Sequence, residues 1–227
     1  MKKRIARDLL SIRAVFLRPQ EPFIWASGIK SPIYCDNRLT LSAPEVRNDI
    51  ENGFKRLIEE NYPECEILMG TSTAGIAHAA ITAHIMNLPM GYVRASAKDH
   101  GRNNLIEGRL EAGQKAVVIE DLISTANSAV ETAQALRQAG AKVLGIASIF
   151  TYGMKRADER LSAANLRNVS LTDLDTLAAV AAAEGYIMPG DVDRLFRFRD
   201  NPQDEGWRDQ PLSLIHISEP TRRVVIS

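Results

Sequence analysis

The chain has 227 residues, about one to one and a half domains' worth and ample for one sizeable core. Apolar residues make up 45% and charged residues 25%, and 28 basic residues against 28 acidic ones leave a formal net charge of zero. That balance excludes a broad electrostatic binder of nucleic acid or of a membrane surface, and no apolar run approaches the roughly 18–20 residues of a membrane span. Cys35 and Cys65 stand in no metal-ligand spacing and suit a reducing cytoplasm. Residues 1–4 are basic, but an amphipathic stretch follows them rather than the apolar core of a signal peptide.

In chain order, Ile5, Leu9, Ile12 and Phe16 recur at helical spacing and predict a helix over residues 2–17. Pro19, Pro22, Gly28 and Pro32 punctuate a loop-rich segment up to Arg38. Ser42 and Glu45 have the spacing of a capping box, with Pro44 in the first turn, ahead of a helix from about 43 to 60. Strand–loop–helix units follow: strands at 66–69, 90–93, 116–119 and 143–150, helices at 76–86 and 128–138, and Gly140 as a helix stop. Residues 95–107 read as a long exposed loop. Helices at 155–165 and 173–184 flank a short strand at 169–171, and residues 191–199 close the fold. The alternation predicts an α/β architecture with a central, mostly parallel sheet covered on both faces.

Ligands of an open parallel sheet bind beyond the carboxyl ends of its strands. One junction there is rich in chemistry. An apolar run ends in Glu120 and Asp121, passes Leu122 and Ile123, and turns through Ser124, Thr125, Ala126, Asn127 and Ser128 into a helix. Free amides and the helix dipole at such a turn favour a phosphate, and hydroxyls add donors. Two carboxylates just before it suit the neutral hydroxyls of a ribose rather than the phosphate itself. The plain alternative is a pair of solvated strand-end acids and a serine that only caps a helix.

This segment resembles the phosphoribosyl pyrophosphate (PRPP) signature of the type I phosphoribosyltransferases. Further matches run over residues 23–38, 70–76, 92–94, 98–101, 104–108 and 148–152. The Ser31–Arg38 run (Ser-Pro-Ile-Tyr-Cys-Asp-Asn-Arg) and the Lys98-Asp99-His100-Gly101 loop narrow the resemblance to the orotate phosphoribosyltransferase family over residues 1 to about 208. The resemblance implies the type I fold with a small N-terminal hood (about 1–40), a core (about 43–175), C-terminal helices (about 173–200) and a mobile lid loop. It implies transfer of the phosphoribosyl group of PRPP to orotate, in a homodimer, with Mg²⁺ held mainly through PRPP. Glu120 and Asp121 would hold the ribose hydroxyls, residues 122–128 would line the PRPP site, and Ser124 would also touch orotate. Thr71, Ser72, Thr73, Ala74 and Gly75 would lie against the pyrophosphate. Arg94, Lys98 and His100 would sit on the lid that reaches the neighbouring subunit, with Lys98, His100 and Asp121 in catalytic roles.

Three departures from the family pattern matter. Its phosphate turn usually ends Thr-Gly-Gly-Ser, where this chain has Thr125-Ala126-Asn127-Ser128. If position 126 needs a left-handed backbone, alanine pays about 1–2 kcal/mol and PRPP affinity falls without being lost. Many members carry lysine where Ser96 stands, and some a lysine that contacts orotate where Ala26 stands. Base recognition would then lean on backbone groups and the 31–38 segment. Two other readings stay open: a phosphoribosyltransferase for a different nucleobase, and a PRPP-binding regulator without catalysis. Read without the family, Arg94, Lys98, His100 and Arg102 could be a solvated basic loop. Trp25 and Tyr34 could stack on a pyrimidine or simply pack in the loop, and His78 and His84 lack zinc-pair spacing and read as core or surface histidines. Residues 211–227 fit no structural period, and 212–222 match the translation of a transposase-type sequencing adapter, so they read as a non-native tail.

Overall fold

The computed structural model describes residues 1–24, 28–94 and 105–209. Helix α1 (Lys2–Ser11) buries Ile5, Ala6, Leu9 and Leu10 along one face. The helical spacing that continues to Phe16 is overruled at Arg13, whose φ of 56° closes the helix. There the Arg13 amide donates to the Leu10 carbonyl at 3.0 Å and the Ala14 amide to the Leu9 carbonyl at 2.9 Å. Strands β1 (Val15–Leu17), β2 (Phe23–Ile24), β3 (Lys30–Ser31) and β4 (Ile33–Cys35) follow, β1 pairing antiparallel with β4 and β2 with β3. Val15–Leu17 is therefore strand rather than helix, because partners eighteen or so residues away decide the matter and local spacing does not.

A 3-10 turn (Asn37–Ser42) leads into α2 (Pro44–Asn61). Pro44 takes the first helical position as expected. Ser42 does not cap: it is the last residue of the 3-10 turn, and Ala43 stands at the cap without a side-chain bond, so the expected capping box is one residue out of register.

The remaining elements are β5 (Ile67–Thr71), α3 (Ala74–Met86), β6 (Met90–Val93), β7 (Ile106–Glu107), β8 (Lys115–Ile123), α4 (Asn127–Gln138), β9 (Lys142–Thr151), α5 (Lys155–Ala163), β10 (Asn168–Asp173), α6 (Leu174–Ala183) and α7 (Asp191–Asp200). They build a six-stranded sheet in the order β10-β9-β8-β5-β6-β7, parallel except for β7. Residues 106–107, expected in a loop, form that antiparallel edge, with Val93 opposite Ile106 and Tyr92 opposite Glu107. Two residues are too few to show a period.

Alternate side chains of the central strands enter opposite apolar layers. Leu68, Val117, Ile119, Ala147 and Ile149 join the layer of α1, α2, α3, α6 and α7. Ile67, Met69, Ala116, Val118 and Ile146 join that of α4 and α5. Gly140, at φ 93°, closes α4 as expected, its amide bonding Arg137 O at 3.0 Å and the next amide bonding Leu136 O at 3.0 Å. Strand β8 outlasts the apolar run that announces it. Its pairing with β9 continues through Glu120 opposite Ser148 to Ile123 opposite Thr151, so both acids ride on a braced strand.

Candidate active site

The expected site residues that the structure describes fall at the carboxyl ends of β6, β5 and β8, which are neighbours in the sheet. Arg94 follows β6 and is half-buried, its amide donating to Leu105 O at 2.8 Å and its guanidinium 3.9 Å from Glu107. Trp25, Ala26, Ser96, Lys98, His100 and Arg102 lie outside the described residues, as do residues 211–227.

Between β5 and α3, residues 71–75 make a tight turn. Thr71 is buried and its hydroxyl has no partner among the described residues. The Ser72 amide donates to Val93 O at 3.2 Å, and its hydroxyl bonds the same oxygen, tying the turn to β6. Thr73 stands at the cap of α3 without a side-chain bond, and while the Ile76 amide bonds Thr73 O at 3.3 Å, the Ala74 and Gly75 amides meet no acceptor among the described residues and are open to an anion. Gly75 is required here by space: a Cβ would sit 2.4 Å from the Ile119 carbonyl oxygen. Only glycine lets α3 press against β8 immediately before the acid pair.

The two acids at the end of β8 differ in environment. Glu120 is buried, one carboxyl oxygen accepting from the Asp121 amide at 3.0 Å and the other from the Ser128 hydroxyl at 3.0 Å. Burial, with the Asp121 charge second, raises its pKa to about 8. Asp121 is half-exposed at the strand end, and its backbone carbonyl is held by Asn37 Nδ2 at 2.7 Å. Beyond it, Leu122 is half-buried and Ile123 fully buried, so the Ile123 side chain supports the turn from below and can offer a ligand only its backbone. Ser124 and Thr125 are half-buried. The cap of α4 is Ala126, at φ 60° and ψ 17°, again without a side-chain bond. Alanine therefore does stand in the left-handed region, at a cost of about 1–2 kcal/mol. Asn127 turns outward to Glu131 at 2.6 Å.

Two strand–turn–helix junctions with uncapped helix N-termini thus lie side by side, with one half-exposed carboxylate between them. Such an edge suits a molecule with phosphates at both ends and hydroxyls in the middle. The phosphoribosyl transferase domain model matches residues 41–178, a span that contains both junctions. The chain belongs to the phosphoribosyl transferase family.

Among its phosphoribosyl transferase relatives, orotate phosphoribosyltransferase of Bacillus subtilis (strain 168) is 56% identical over 207 residues, 91% of this chain and 96% of the relative. Its counterpart in Bacillus cytotoxicus is likewise 56% identical over 207 residues, covering 91% of this chain and 99% of the relative. Of the solved structures, orotate phosphoribosyltransferase from Aeropyrum pernix superposes with a TM-score of 0.70 at 26% identity, over 81% of this chain and 99% of that one. Within the family the chain therefore groups with the orotate phosphoribosyltransferases, and the mostly parallel sheet with flanking helices is the type I fold expected from its sequence.

A phosphoribosyl transferase implies a divalent cation beside its phosphorylated substrate. Among the described residues no group of three or more His, Cys, Asp and Glu side chains could hold a metal. One half-exposed carboxylate, Asp121, stands at this edge of the sheet. That fits Mg²⁺, which binds through one or two carboxylates plus substrate phosphates rather than in a protein cage.

A buried brace behind Asp121 escapes sequence reading. Asn37 is fully buried; its Oδ1 accepts from the Cys35 thiol at 3.2 Å and its carbonyl from Thr40 Oγ1 at 2.6 Å. Burial, then the charges of Asp121 and Asp36, push the Cys35 pKa up, so it stays a thiol donor. Thr40 Oγ1 lies 3.4 Å from His78 Nε2, His78 Nδ1 lies 2.7 Å from Glu51, and Thr82 donates to Glu51 at 2.6 Å. Asn37, Thr40, Glu51, His78 and Thr82 are all fully buried. His78 is thus a core histidine, while His84 is exposed. The available signals were Glu51 on the apolar side of α2 and the one-turn spacing of His78 and Thr82. Asn37, being buried, braces Asp121 and cannot read a base, whereas Tyr34 in the same segment is exposed beside Phe23, ring centroids 5.7 Å apart.

Proposed function

We propose that this chain is an orotate phosphoribosyltransferase, transferring the phosphoribosyl group of PRPP to orotate to give orotidine 5′-monophosphate and pyrophosphate, a step of pyrimidine nucleotide synthesis. The observation that carries the reading is the β8–α4 junction, where Asp121 and an uncapped turn follow one another on a braced strand.

Asp121 accepts the ribose hydroxyls, and Glu120 binds Ser128 and the strand backbone so that the acid and the turn keep a fixed spacing. Residues 124–128 hold the 5-phosphate with backbone amides and hydroxyls, Ser124 also meeting orotate. The 71–75 turn and the first amides of α3 lie against the pyrophosphate. Arg94, with Lys98 and His100 by resemblance, adds positive charge over the leaving pyrophosphate. Breaking the bond from the ribose C1 to pyrophosphate makes the sugar cationic and the leaving group more anionic, so a carboxylate near the ribose and cations over the pyrophosphate both favour the transition state. Mg²⁺, when bound with PRPP, neutralises part of the pyrophosphate charge. By resemblance, a lid carrying Arg94, Lys98 and His100, the last two outside the described residues, would reach the neighbouring site of a homodimer, exclude water and suppress hydrolysis of PRPP. Free Cys35 and Cys65 support a reducing, cytoplasmic setting. Among the described residues no helix is long and apolar enough to cross a membrane.

The test is loss of orotate absorbance in the near ultraviolet with the full chain, PRPP and Mg²⁺, beside a panel of other nucleobases. Orotate-dependent release of pyrophosphate is expected. Consumption of another base instead, or PRPP binding without any turnover, contradicts the reading.

A further inference from the structure

Helix α5 touches the proposed phosphate turn through one side chain that the reaction itself does not call for. Arg160 is half-buried, and its Nη1 donates to the Thr125 carbonyl at 2.6 Å. Among the described residues no carboxylate pairs with it, and the Thr125 carbonyl is the acceptor its Nη1 meets. The peptide joining Thr125 to Ala126 is trans, and in a planar trans peptide the carbonyl and the amide point in opposite directions. Holding the Thr125 oxygen on the α5 side therefore aims the Ala126 amide away from α5. On the far side of the same residue, the Ala126 carbonyl accepts from the Val130 amide at 3.1 Å. The Ala126 methyl is buried in the apolar layer that contains Ala157 and Leu161 of α5. Both peptides flanking an alanine at φ 60° are thus fixed from outside the turn.

We propose that Arg160 is a positioning residue that holds the 124–128 turn in its phosphate-binding conformation and replaces the conformational freedom that glycine would supply at position 126. The inference rests on the reading of this turn as the 5-phosphate site. Preorganising a strained loop cuts the ordering cost of binding, so the effect belongs in PRPP affinity and not in the chemical step.

The experiment crosses Arg160→Met with Ala126→Gly in the full chain and measures KM for PRPP, KM for orotate, kcat, melting temperature and, by calorimetry, the Kd of PRPP with Mg²⁺. Arg160→Met should raise KM and Kd for PRPP about tenfold, as for loss of one charge-assisted hydrogen bond, with kcat and KM for orotate within about twofold. In the Ala126→Gly background the same substitution should cost less than about threefold, because glycine enters the left-handed region without help. Arg160→Lys, which keeps the charge but loses the planar fork, should fall between the parent and Arg160→Met. An unchanged Kd for PRPP in Arg160→Met overturns the proposal. So does an equal cost in both backgrounds, or a parallel rise in both KM values with a lower melting temperature. If the parent binds PRPP but turns over no orotate, the functional reading fails while the Kd comparison still decides the role of Arg160. A parent that binds no PRPP overturns both.

Discussion

The two turns at the front edge of the sheet solve one problem by different means. The 71–75 turn uses Gly75 because β8 leaves no room for a side chain, the nearest backbone oxygen lying 2.4 Å from where a Cβ would be. The 124–128 turn has room for a methyl, which it buries, but asks its alanine for a positive φ. Lack of space admits no substitute. An unfavourable dihedral does, at about 1–2 kcal/mol, provided neighbours hold the residue in place. Sequence differences from a glycine-rich pattern therefore weigh differently at the two turns.

Substitutions can break that contrast. Of substitutions within the two turns, Gly75→Ala should be the most damaging, with about 1–3 kcal/mol of stability lost to overpacking and PRPP turnover reduced at least tenfold, because α3 must back away from β8. Urea unfolding and the turnover assay check it; a variant as stable and active as the parent would show that the approach of α3 to β8 is not tight.

Glu120 sharpens the comparison through pH. Its pKa rises from 4.5 to about 8 on folding, so between those values the folded chain keeps a proton that the unfolded chain releases. Stability should accordingly fall as pH rises through that window. Glu120→Gln, which keeps the shape, can still accept from the Asp121 amide, can donate to the Ser128 hydroxyl and does not ionise, should flatten the profile. Melting temperatures of both proteins from pH 5 to 9 test this, and identical slopes would place the proton elsewhere.

The smallest effect is expected for Ala126→Gly. Relief of the left-handed strain is offset by added freedom in the unfolded chain and by the loss of one buried methyl, leaving a net change within about 1 kcal/mol. PRPP affinity should improve a few-fold at most. A large loss of stability would mean that the buried methyl outweighs the dihedral.

Much of this edge could be read in the sequence, because its signals are local. Apolar runs mark the buried strands, Gly140 marks the end of α4, and the order of acids, hydroxyls and helix marks the β8–α4 junction. What escaped depends on partners distant in the chain. Val15–Leu17 is strand only because Ile33–Cys35 lies beside it, and Ile106 and Glu107 pair only because β6 offers an edge. Asn37 meets Asp121 across 84 positions, and Arg160 meets Thr125 across 35. No periodicity announces a side chain whose task is to hold a remote carbonyl. Ser42 shows a subtler failure: the capping pattern is present, but the preceding 3-10 turn uses up the residue that would have capped.

We infer that Asp121 and the flanking turns form one PRPP site. It is tested most directly by calorimetric titration of PRPP with Mg²⁺ into the parent chain and Asp121→Asn, followed by orotate turnover on the same samples. One PRPP per chain is expected in the parent, with binding weakened at least tenfold and turnover lost in the variant. Equal PRPP affinity and equal turnover in the two proteins would contradict it.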